Sequence, residues 1–196
     1  MRLVLATRND HKVREVGRLM DGVVVEALPE HVVLPPEDGD TFAANALGKA
    51  RAAAAALGRT AIADDSGIEA AALGGAPGIR SARYAGPDAS DADNLAKLRA
   101  EAPAGSGLRY VCVMAYAEPG GEERTFTGVC EGTLAQDARG SGGFGYDPAF
   151  VPADRADGRT MAELTDAEKD AISHRGRAAR ELLAWLRSEE ARHDGD

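Results

Sequence analysis

Residues 108–135 read LRYVCVMAYAE, PGGE and ERTFTGVCEGTLA, two runs rich in β-branched and aromatic side chains on either side of a Pro-Gly-Gly turn. That pattern predicts an antiparallel hairpin. Toward the N-terminus, residues 2–6, RLVLA, form a short apolar run of the kind a buried strand makes, and a polar stretch, TRNDHK, follows at once. Val13, Val16, Leu19 and Met20 then recur at a helical period, so a strand hands over to a helix within a few residues. Residues 60–64, TAIAD, predict another short strand, ending in Asp64-Asp65-Ser66-Gly67, where Ser and Gly favour a turn. Strand–helix alternation and a hairpin in one chain predict an α/β fold with a mixed sheet.

The remaining punctuation fits that reading. Thr41 is placed to cap an Ala-rich helix that Gly58 stops, after the acidic loop LPPEDGD at 34–40. GGAPG at 74–78 is a loop. Ser90 with Asp93, and Thr165 with Glu168, have capping-box spacing, the first opening a helix to about Glu101. Leu182, Leu183 and Leu186 give the last helix an apolar stripe, and the polar tail after Ser188 is expected to fray.

The chain has 196 residues, 44% hydrophobic and 28% charged, which is an ordinary folded composition. At that length folding buries roughly 70% of the extended chain's surface. No repeat or long linker divides it, so residues 1–196 read as a single domain, with room for two lobes around a cleft. The net charge of −9 argues against a nucleic-acid polymer or an anionic membrane as partner, since both attract clustered Lys and Arg. Cys112 and Cys130 lack metal-ligand spacing and read as reduced core filler. The start, MRLVLATRND, turns polar too soon for a signal peptide, and no apolar run approaches the roughly 20 residues that span a bilayer. The expectation is a cytoplasmic protein.

Polar residues that a fold does not need gather at 7–12, 37–49, 64–67, 140–148 and 169–175. The first of these, Thr7, Arg8, Asn9, Asp10, His11 and Lys12, sits at a helix N-terminus, where free N–H groups and the macrodipole attract phosphate. Simple capping by Thr7 or Asn9 explains it equally well. Lys49 is either a solvated helix residue or a ligand-binding one. Asp64 and Asp65 at a strand end, with Glu37 in the acidic loop, suit magnesium, which takes one or two carboxylates and otherwise keeps water and substrate oxygens. Side chains alternate along a strand, so both aspartates address one cleft only if the turn begins between them.

The loop GSGGFG formally matches a dinucleotide fingerprint, but Asp147 and Pro148 follow it instead of a helix, which excludes that reading. Its glycines would let backbone approach a flat ligand while Phe144 offers a ring face; alternatively Phe144 and Tyr146 turn into the core. Lys169, His174 and Arg175 put cations near a helix start, where the dipole disfavours them. A surface pairing with Glu168 or Asp170 is the plain explanation, and recognition of a carbonyl-bearing ligand the functional one.

Taken together, LATRNDHK, TFAANALGKA, AIADDSGIEAAALGGAPGIRSARYAG, GFGYDPAFVP and AELTDAEKDAISHRGRA occur in this order and cover nearly the whole chain. The set closely resembles the inosine triphosphate pyrophosphatase family. The resemblance implies a long mixed sheet with flanking helices, two lobes around a central substrate cleft, a homodimer, and Mg²⁺-dependent hydrolysis of ITP, dITP and XTP to monophosphate and pyrophosphate. By motif, Thr7 to Lys12 and Lys49 would hold phosphates, and Asp65 would activate water and bind metal with Glu37. Ser66 would touch substrate, and Phe144, Gly145, Tyr146 and Asp147 would line the base pocket. Lys169, His174 and Arg175 would read the base. The alternatives are a pyrophosphatase for modified pyrimidine triphosphates and a nucleotide-binding module without catalysis.

One position departs from the family: Ala44 stands where Glu is usual in TFxEN. With Thr41 as N-cap that Glu would be the N3 partner of a capping box, so its absence is expected to affect stability and not turnover.

Overall fold

The computed structural model describes residues 1–193. Strands β1 (Arg2–Leu5), β2 (Val24–Ala27), β3 (Ala61–Ala70), β4 (Gly107–Ala117), β5 (Glu123–Leu134) and β6 (Phe150–Pro152) form one sheet in the order β2-β1-β3-β4-β5-β6. β1 runs parallel to β2 and β3, and β5 antiparallel to β6, so the sheet is mixed. The helices are α1 (Asp10–Leu19), α2 (Phe42–Leu57), α3 (Asp91–Glu101), α4 (Asp166–Ile172) and α5 (His174–His193).

The chain divides into two compact units, one of residues 1–65, 112–128 and 175–196, the other of 66–111 and 129–174. In the first, Val16 and Met20 of α1 and Leu182 and Leu186 of α5 pack against Leu3, Ile62 and Met114 of the strands. Truncating one such side chain, as in Leu182→Ala, costs about 2–5 kcal/mol. In the second, Ile68, Leu98, Tyr110, Cys130, Phe150 and Met161 are buried together. Both cysteines are buried, and neither forms a disulfide among the described residues.

The expected caps are present. The Thr41 hydroxyl accepts from Ala44 N at 3.1 Å, and α2 ends on Gly58 in the left-handed conformation at φ 61°. α3 and α4 each open on a complete capping box, Ser90 with Asp93 and Thr165 with Glu168.

Three expectations are corrected. The turn expected at Asp64–Gly67 does not form, because β3 continues through it to Ala70. β1 pairs only with Ala61 and Ile62, so beyond them the strand runs on beside β4, its other neighbour in the sheet, against the turn preference of Ser and Gly. Two strands are unexpected: β2, although Val23, Val24 and Val25 are a β-branched run, and β6, three residues long and ending in Pro152. The helix α5 passes Ser188 and runs to His193; the rest of the tail, 194–196, lies outside the described residues. Among the described residues no helix is long and apolar enough to cross a membrane.

Candidate active site

Because β3 is unbroken, Asp64 and Asp65 point to opposite faces. In the first unit Asp64, fully buried, takes Lys12 Nζ at 3.0 Å and Arg175 Nη2 at 3.0 Å on Oδ2, and its carbonyl accepts from Lys49 Nζ at 2.7 Å. Burial alone would push its carboxyl up, but the charges of Lys12, Arg175 and Lys49 outweigh it and hold the group well below the usual carboxylate range. Its Oδ1 has no hydrogen-bond partner. Beside it, burial and the Asp64 charge push the Cys112 thiol up to about 12, so this cysteine is a neutral packing group.

Asp65, 5% exposed, accepts from Asn45 Nδ2 at 2.9 Å on the other face. Burial pushes its carboxyl above the usual range, against the pull of Lys49 and the Asn45 bond, and the charge of Glu37 adds to the rise. Lys49 donates to Glu37 Oε1. Burial would lower the Lys49 pKa, but Asp64 and Glu37 raise it further, so the ammonium stays charged. The helix α2 delivers this arrangement by spacing, since Asn45 and Lys49 are one turn apart on one face. Asn45 also fixes the acidic loop by accepting from Gly39 N at 2.9 Å.

The N-terminus of α1 divides its labour. Asn9 Oδ1 accepts from His11 N and Lys12 N at 2.9 and 3.2 Å, and Thr7 Oγ1 from Asn9 N at 3.2 Å, so Thr7 and Asn9 cap and brace the turn. Arg8 donates to the carbonyls of Leu28, Pro29, Glu30 and Val32 at 2.7–3.1 Å, tying down the loop after β2. Asp10 and His11 are exposed, with His11 Nδ1 3.0 Å from Arg14 Nη2. Of the six, Lys12 is the one whose side chain reaches Asp64.

The second unit holds the remaining candidates around a second buried carboxylate, Asp147. Its Oδ2 accepts from Lys169 Nζ at 2.7 Å and Phe144 N at 2.9 Å, and its Oδ1 from the Tyr110 hydroxyl at 3.1 Å. Lys169 Nζ lies 5.3 Å from the centroid of the half-buried Phe144 ring. The loop closes this tightly because Gly143 has φ +68° and a Cβ there would collide with the Asp147 carboxylate. The imidazole of His174, 5% exposed, stacks on Tyr110 with ring centroids 4.5 Å apart and planes at 10°. Gly145 N donates to Asp91 at 2.9 Å, and Ser66 is half-buried on β3.

Two residues differ from expectation. Tyr146, expected at the base pocket, is a core residue, 5% exposed with its hydroxyl on the Ser81 carbonyl at 2.7 Å. Arg175, expected beside His174, belongs to the first unit, 1% exposed and bonded to Asp64 and Glu15. A guanidinium with two buried carboxylates in reach pairs with them. Lys169, His174 and Arg175 are all buried rather than at the surface, and Glu168 pairs with Arg159 at 2.5 Å. Sequence reading missed Asn45, Glu15 and Tyr110; only Asn45, one turn before Lys49, carried a signal.

Among the described residues no three His, Cys, Asp or Glu side chains gather as a ready-made metal cluster. The donors present nevertheless fit a hard divalent ion that uses two carboxylates and takes its other ligands from water and substrate. Burial raises the Asp65 pKa and the Glu37 charge adds to the rise, so positive charge placed between the two carboxylates would favour the ionised form.

A family model described as the Ham1 family matches residues 3–185. Two relatives named dITP/XTP pyrophosphatase, from Symbiobacterium thermophilum and Syntrophobacter fumaroxidans, are 50% and 48% identical to the chain. The first alignment covers 94% of both chains, the second 96% of this one and 86% of the relative. The solved structure of a HAM1 protein from Coxiella burnetii superposes with a TM-score of 0.84 at 40% identity, covering 96% of this chain and 99% of the other. Sequence and fold thus point the same way across nearly the whole length: the chain belongs to the Ham1 family.

Proposed function

We propose that this protein hydrolyses noncanonical purine nucleoside triphosphates, ITP, dITP and XTP, to the monophosphate and pyrophosphate, clearing deaminated purines from the nucleotide pool. The observation that carries the reading is the arrangement about the middle of β3. There Lys12 and Lys49 converge on Asp64 while the desolvated carboxylate of Asp65 stands next in the chain with Glu37 coupled to it. Cations for a polyphosphate and a raised-pKa carboxylate for a water proton are what phosphoanhydride hydrolysis requires. The relatives' printed names supply the substrate class.

In this reading Lys12 and Lys49 hold the phosphates, and Asp65 accepts the proton of the attacking water as the α–β phosphoanhydride bond breaks. Magnesium, held by Asp65 and Glu37, would neutralise charge on the triphosphate. Asp64 keeps both lysines in place. Phe144 offers a face to the purine, and Lys169 and His174 donate to its 6-oxo group. An adenine amino group would leave such donors unpaired, which is how a buried polar site discriminates by about 10⁴ to 10⁵. The same reading has the protein working as a homodimer in the cytoplasm, the first of which sedimentation of the purified chain tests.

The decisive experiment incubates the protein with dITP and Mg²⁺ and identifies the phosphorus products. Pyrophosphate with dIMP is expected. Release of orthophosphate, or faster turnover of dUTP or a methylated pyrimidine triphosphate than of dITP, would overturn the proposal.

A further inference from the structure

Tyr110 has no place in the reading so far, yet it touches both ends of the machinery in the second unit. It lies on β4, 6% exposed, with its ring 4.5 Å from the His174 imidazole at 10° and 4.5 Å from Phe150 at 35°. Its hydroxyl donates to Asp147 Oδ1 at 3.1 Å, while Asp147 Oδ2 holds Lys169 Nζ and Phe144 N. A tyrosine buried only for packing would be served as well by phenylalanine. Here the hydroxyl reaches the carboxylate that aims Lys169, and the ring lies flat on the imidazole.

We infer that Tyr110 is a positioning residue for purine selectivity, setting His174 through its ring and the Asp147–Lys169 pair through its hydroxyl. The inference rests on the base-reading roles proposed above for Lys169 and His174. The two handles have separate consequences. Without the hydroxyl, Asp147 Oδ1 loses its donor and the carboxylate can rotate, so the Lys169 ammonium is no longer held in one direction. Donors aimed at a 6-oxo group discriminate only while they are fixed, because a mobile ammonium can turn aside from an adenine amino group. Phosphate binding and water activation belong to other residues, so the effect falls on base recognition.

The test measures kcat and KM for dITP and dATP with wild type, Tyr110→Phe, Asp147→Asn and the double variant, alongside melting temperature. Tyr110→Phe keeps the ring and is expected to fold. It should raise KM for dITP about tenfold, the worth of one hydrogen bond to a charged group, with kcat changed less than twofold. The dITP-to-dATP preference should fall by a similar factor. In the Asp147→Asn background the same substitution should change the preference less than twofold, because the hydroxyl acts through that carboxylate. An unchanged preference in Tyr110→Phe overturns the inference, as does an equal effect in both backgrounds. Wild type showing no preference for dITP overturns instead the base-reading roles on which the inference stands.

Discussion

Each unit is built around a buried carboxylate, and the two are satisfied by different means. Asp64 in the first unit draws two cations to its side chain and a third, Lys49, to its carbonyl. Asp147 in the second has one cation, Lys169, supplemented by a phenol and a backbone amide. On the proposed function, charge density follows ligand chemistry. A triphosphate needs surplus positive charge, whereas a purine edge needs a few donors held in fixed directions. The helix starts differ too: α3 and α4 have complete capping boxes, but α2 has only the half supplied by Thr41.

The largest effect is expected where the first unit's role is chemical. Asp65→Asn should lower kcat at least a hundredfold, the lower end of what a positioned general base contributes, with melting temperature and nucleotide binding largely retained. Turnover within tenfold of wild type would remove Asp65 from the proton-accepting role. The contrast between the two carboxylates is tested next. Asp64→Asn removes the carboxylate that Lys12 and Arg175 share, leaving Arg175 to Glu15 and Lys49 to Glu37, and should cost about 3–5 kcal/mol. At about 2–4 °C per kcal/mol for a chain of this length, melting should fall by roughly 10 °C. Asp147→Asn uncovers a single cation and should cost clearly less; equal losses would refute the account in terms of charge density.

Acid probes the second unit more gently. The Arg159 hydrogen bond and the Thr165 amide lower the Glu168 carboxyl from 4.5 to about 2. A carboxylate held below its unfolded value stabilises fully above about pH 4.5 and loses that contribution as pH falls toward 2. The Glu168 side chain is solvent-accessible, so the effect is small and salt-sensitive. Melting curves of Glu168→Gln and wild type should converge across that window, and curves that stay parallel would exclude the linkage. The smallest effect comes from completing the first unit's cap. Ala44→Glu should stabilise by about 1 kcal/mol or less and raise melting by a few degrees at most. A large change in turnover with none in melting would mean that position 44 serves the substrate.

Much of the fold was legible because it rests on local signals. The hairpin, α1, the capped starts of α2, α3 and α4, and the apolar stripe of α5 all follow from period and capping chemistry within a few residues. What misled was also local: Ser66-Gly67 reads as a turn, yet β3 carries it extended as far as Ala70.

The sequence alone determined where polar side chains gather, in five patches at or near element ends, and so which residues were candidates. Only tertiary structure decided their partners. That Asp64 and Asp65 face opposite ways, that Arg175 leaves its neighbour His174 for Asp64 and Glu15, and that Tyr110 joins Asp147 to His174 depend on contacts up to 160 residues apart in sequence. The reason is physical. Capping and periodicity are set by neighbours along the chain, whereas a buried charge takes whichever opposite charge the packed fold brings within about 3 Å.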